Sequence, residues 1–69
     1  MATAISKLAD KMRQHRITQR LMAKTLGVHY TGVHHQCVNG IQSLRVANQY
    51  IAGFNHIGVN VSVNDILGK

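Results

Sequence analysis

Five histidines, one cysteine and two carboxylates are the groups in this chain that could act as acids, bases or metal ligands. Asp10 and Asp65 are the only carboxylates and fall in different elements, so no pair is set up for acid–base chemistry. No Ser, His and Asp spacing suggests a nucleophilic triad. His29, His34, His35 and Cys37 are ligand types that zinc accepts. However, the adjacent His34 and His35 diverge around a helix, and Cys37 shares an apolar face with Val33, where a small buried hydrophobe belongs. These observations predict no enzyme, no metal, no cofactor and no small-molecule substrate. What remains is charge. Lys plus Arg number 8 against 2 acids, a formal net charge of +6. The simplest partner for such a surface is a polyanion, most often nucleic acid; the competing reading is a basic face that is merely solvated.

The elements that would hold these residues can be read from apolar periodicity and punctuation. Ile5, Leu8, Ala9 and Met12 form one stripe and predict a helix over 3–15, capped by Thr3 or Ser6. Thr18 caps a second helix carrying Met22, Ala23 and Leu26, and Gly27 stops it. A third helix runs from about His29 or Tyr30 to Val38, with Val33 and Cys37 on one face, and Asn39-Gly40 ends it. Ser43 starts a fourth helix that reaches about Asn55. Leu44, Ala47, Ile51 and Phe54 form its stripe, Tyr50 lies beside it, and Gly53 weakens it near its end. The last segment reads two ways. Val59, Val61 and Val63 alternate with polar residues as in a strand, whereas Ser62 and Asp65 are spaced as in a capping box and suit a short helix. With no obvious strand elsewhere to pair with, the short helix is favoured. The fold class expected is all-α, a compact domain of four to five helices.

Sixty-nine residues with 45% hydrophobic content make one small domain over 1–69, not a disordered basic tail. Cys37 is the only cysteine, so no internal disulfide forms. No apolar run approaches 18 residues, which predicts no membrane association and a cytoplasmic location. Met12 and Met22 fall at core spacing and need no cofactor.

The stretch TQRLMAKTLGVHYTGVHHQCVNG, residues 18–40, is a capped helix, a turn containing glycine, and a second helix. Ala23 is small where two helices would cross, Gly27 allows the reversal, and Val28 and Val33 would lock the second helix on the first. Such a unit presents its second helix as a ridge that fits the major groove of B-DNA. The sequence here resembles the helix-turn-helix of phage repressors and Cro proteins, the lambda-repressor-like family. The likeness rests on Gln19, Met22, Ala23, Leu26, Gly27, Val28, Val33 and Gly40, and extends from the first helix through the fourth. The family's frequent Glu-x-Gly ending is replaced by Cys37-Val38-Asn39-Gly40.

The resemblance implies a sequence-specific repressor that binds double-stranded operator DNA as a homodimer. The family's base-reading places fall on Tyr30, Thr31, His34 and His35. Its phosphate contacts fall on Gln19, at the start of the second helix, and on Asn39, Gln42 and Ser43, after the recognition helix. Arg16, Arg20, Lys24 and Arg45 are further phosphate candidates by charge. Gly32 lowers helix propensity by about 1 kcal/mol relative to Ala; it either lets the backbone approach DNA or is simply tolerated. Phe54, Ile57, Val59, Val61, Val63, Ile66 and Leu67 either form the dimer surface or close the monomer core. A different class of function on the same fold is a DNA-recognition or interaction module of lower selectivity, such as a viral packaging or recombination accessory protein.

Overall fold

The computed structural model describes residues 6–69. Five helices follow one another: α1 (Lys7–Gln14), α2 (Gln19–Leu26), α3 (Tyr30–Asn39), α4 (Leu44–Ile57) and α5 (Val63–Ile66), with no strand among the described residues. The all-α expectation holds. Met1, Thr3 and Ile5 lie outside the described residues. Ser6 is extended, so α1 starts at Lys7, several residues later than the periodicity suggested.

Local chemistry sets most of the boundaries. The Ser6 hydroxyl accepts from the Ala9 N–H at 3.1 Å, and the Thr18 hydroxyl accepts from the Leu21 N–H at 3.0 Å. Ser43 Oγ accepts from the Arg45 N–H at 3.2 Å. Each cap satisfies a donor that the helix itself cannot, and is worth about 1 kcal/mol. Gly27 closes α2 in the left-handed region, at φ 71°. α4 runs two residues past Asn55, to Ile57, before Gly58 stops it.

Leu8, Met12, Met22, Val33, Ile41, Phe54 and Ile66 are all buried and belong to one cluster, to which each helix contributes. Phe54 and Ile66 therefore close the core of a single chain and are unavailable to a partner. Ile57, Val59, Val61, Val63 and Leu67 are half-buried against the same cluster.

Three expectations need correcting. Val28 does not lock α3 onto α2; it is 49% exposed and lines an open groove with Leu26, Gln49 and Tyr50. Val33 and Cys37, one turn apart, do that locking. Leu44, at the solvent end of α4, is 60% exposed and stands off the stripe. Gly53 is more than a weak point in α4. It is buried, and a Cβ there would lie 2.8 Å from Leu26 Cδ2 and 3.0 Å from Met22 Sδ, so its missing side chain is what lets α2 and α4 approach.

The last segment is a short helix, not a strand. The Asp65 carboxylate accepts from the Ser62 N–H at 2.9 Å, which holds the Asp65 carboxyl below its ordinary range. After α5 the chain turns back, and the Gly68 N–H donates to the Ile41 carbonyl at 2.7 Å. That bond ties the end of the chain to the link between α3 and α4. Gly40 makes room for it. Its φ of 84° and ψ of 166° suit essentially only glycine, and a Cβ would meet the Gly68 carbonyl oxygen at 2.7 Å. Gly40→Ala is expected to lower stability by about 1–3 kcal/mol, as backbone strain and the lost tie combine. Gly32 provides the contrast, because a Cβ there meets nothing within 4 Å. Gly32→Ala should raise stability by about 0.5–1 kcal/mol through helix propensity alone. Urea unfolding of the two variants beside the parent chain measures both.

Candidate nucleic-acid interface

The roll of α3 about its own axis decides which side chains face outward. Val33 and Cys37 are buried at the α2 and α1 side. Tyr30, Thr31, His34 and His35 consequently lie on the opposite face, all exposed, with Val38 continuing the same row. All four proposed base-reading residues thus come together on one ridge. Gly32 is exposed beside them.

The N-terminal turn of α3 is capped by His29, which sequence reading placed only as a possible first helical residue. Its Nδ1 accepts from the Thr31 N–H at 3.1 Å and lies 2.8 Å from Thr31 Oγ1. The Thr31 hydroxyl is thereby directed at His29, leaving its methyl and its two lone pairs for an outside partner. Tyr30 and His34, one turn apart, stack with ring centroids 6.3 Å apart, and the Arg20 guanidinium sits 5.9 Å above the Tyr30 ring. Arg20 therefore stands at the edge of the ridge, reaching across from α2.

Gln19 is half-buried at the start of α2. Its Oε1 lies 3.3 Å from His34 Nδ1. The side chain of Gln19 is thus turned toward α3 rather than outward from the start of α2. Cys37 in turn approaches Met12 Sδ at 3.8 Å. Burial pushes the Cys37 thiol up from its ordinary range, with the polar Gln19 side chain opposing that shift, and burial likewise pushes the Tyr50 hydroxyl up to about 12. Both groups stay neutral near pH 7 and belong to the core.

Arg16, Arg20, Lys24, Asn39, Gln42, Ser43 and Arg45 are all exposed. Gln42 Nε2 donates to the Asn39 carbonyl at 3.4 Å, which folds the link after α3 back on that helix. The charge is lopsided. The one ion pair among the described residues is Arg13 with Asp10, at 3.5 Å on α1. Asp65 sits on α5, with Lys11 and Lys7 as its nearest charges. No acid occurs between Asp10 and Asp65, so Arg16, Arg20, Lys24 and Arg45 have no counter-charge in α2, α3 or α4. No cluster of three or more His, Cys, Asp or Glu could hold a metal among the described residues. No helix among them is long and apolar enough to cross a membrane.

No protein-family model, curated protein or solved structure matches the chain. The case for an interface therefore stands on geometry and charge.

Arg16 adds a point that sequence reading missed. It follows α1 at φ 58°, the left-handed position usually taken by glycine. The Ile17 N–H reaches back to the Met12 carbonyl at 2.8 Å, as a Schellman closure requires. An arginine in that conformation costs about 1 kcal/mol or more. Arg16→Gly is expected to leave the turn intact and raise the unfolding free energy by up to about 1 kcal/mol. A loss of stability in thermal or urea unfolding would show that the side chain itself holds the turn.

Proposed function

We propose that this chain is a sequence-specific DNA-binding protein of the repressor and Cro type. It seats α3 in the major groove of double-stranded operator DNA and acts as a homodimer. The observation that carries this reading is the outward ridge of α3, with four polar or aromatic side chains in one row, the Arg20 guanidinium at its edge, and no acid in the sequence from Arg16 to Arg45. An α-helix is the right width for the groove, and base edges there offer hydrogen-bonding groups and a thymine methyl. Thr31 and His35 act as base readers in this arrangement, Tyr30 contacts a methyl or a phosphate, and Arg16, Arg20, Lys24 and Arg45 contact the backbone. Asn39, Gln42 and Ser43 supply further backbone contacts after α3.

A dimer follows from size. A single module of this kind buries about 600–1,000 Å² on DNA, which is too little for tight specific binding at physiological salt. Two copies on a palindromic site bring two ridges to successive faces of the major groove. Since Phe54 and Ile66 are consumed by the core, the half-buried Ile57, Val59, Val61, Val63 and Leu67 are, of that surface, the apolar side chains left for pairing. Occupancy of a promoter by such a dimer would exclude polymerase, and that step rests on the family resemblance.

One feature favours the lower-selectivity reading, a packaging or recombination accessory module. The exposed row in the N-terminal half of α3, Tyr30 to His35, carries no Arg, Lys, Asn or Gln, the side chains that read bases in bidentate fashion. Salt titration on a selected site and on random duplex separates the two. A repressor prefers its site by about 10³-fold or more, whereas a general binder has a comparable salt slope and no preference.

Two classes of variant should behave differently. Thr31→Ala and His35→Ala are expected to relax base choice at defined positions by about 1–3 kcal/mol. Lys24→Ala is expected to weaken binding to all sequences alike and to reduce the salt slope by about one. Binding-site selection from a random duplex pool, repeated for each variant, checks both; unchanged selectivity in both recognition-row variants would remove α3 from the groove.

A further inference from the structure

The Gln19 and His34 side chains meet at the foot of the ridge, and their hydrogen-bonding capacities leave one consistent arrangement. Gln19, on α2, turns its amide Oε1 toward His34, on α3. An amide oxygen only accepts, so the hydrogen in the 3.3 Å contact belongs to His34 Nδ1. A neutral imidazole carries one N–H.

We propose that Gln19 holds neutral His34 in the Nδ1–H form, so that the exposed Nε2 is an acceptor selecting a base with an exocyclic amino group, cytosine or adenine. In the major groove, cytosine N4 and adenine N6 are the donors, whereas guanine offers only acceptors on that edge. His29 is held the opposite way. Its Nδ1 accepts from the Thr31 N–H, so its free Nε2 carries the hydrogen. Two histidines on the same helix thus present opposite polarity to solvent. Gln19 is a positioning residue here, acting on DNA through His34. The base assignment rests on the DNA-binding reading; the tautomer does not.

Long-range ¹⁵N–¹H spectra of the full chain at pH 8, where an ordinary imidazole is neutral, test the first half without DNA. His34 should show a pyrrole-type Nδ1 and a pyridine-type Nε2, with His29 reversed in the same spectrum. Gln19→Met should return His34 to the commoner Nε2–H form, and Gln19→Glu, which keeps an acceptor, should preserve Nδ1–H. An Nε2–H tautomer in the parent chain, or no change in Gln19→Met, overturns the proposal. Binding-site selection at pH 8 tests the second half. The position read by His34 is the one whose preference disappears in His34→Ala. The parent should favour cytosine or adenine there by about 2- to 10-fold, the worth of one hydrogen bond, and Gln19→Met should lose that preference. Guanine or thymine at that position overturns the base assignment. If the chain selects no duplex at all, the proposed function falls and the base assignment with it, while the spectra decide the tautomer independently.

Discussion

Burying Val33 and Cys37 fixes the rotation of α3, and everything on the outer ridge depends on that rotation. The two residues are one turn apart and both fully enclosed, so turning the helix by even one position would expose apolar surface and bury a polar group. Each buried side chain of this kind is worth about 1.5–3 kcal/mol, which in a domain this small is a large share of the total stability. The same contacts that hold the core together therefore aim Tyr30, Thr31, His34 and His35 outward. A mutation that loosened the core would blur the ridge before it unfolded the chain.

The positions of charge and strain follow a related logic. Asp10 and Asp65 stay with α1 and α5, where they pair with Arg13 or bond the Ser62 amide. This leaves α2, α3 and α4 with cations and no acid, an arrangement that raises self-repulsion but favours encounter with a polyanion. Arg16 keeps a left-handed backbone where glycine would be easier. Such a backbone conformation costs stability that the rest of the fold must supply. By the same reasoning Gly32, which nothing in the monomer requires, is a place where stability has been left unused.

Much of the fold was legible in the sequence because its signals are local. Ser6, Thr18 and Ser43 cap helices through bonds spanning two or three residues, and Gly27 ends α2 within its own turn. The outer row of α3 was legible for a similar reason, since helical period alone separates Tyr30, Thr31, His34 and His35 from Val33 and Cys37. What escaped was set by distant parts of the chain. The close approach at Gly53 depends on Leu26 and Met22, and the role of Gly40 depends on Gly68. Val28 sits next to a helix crossing in sequence yet on its solvent side in space. The Gln19–His34 and Met12–Cys37 contacts join residues 15 and 25 positions apart, beyond the reach of any periodicity.

The sole thiol has one more consequence. Cys37 is enclosed in the core and has no disulfide partner. A thiol reagent can reach it only when α3 lifts from its neighbours, so the rate of labelling reports how often that lift occurs. The molecule thus carries its own clock for the opening of α3, with no engineered label. A bound ligand gripping the outer side of α3 would slow that clock from the far face.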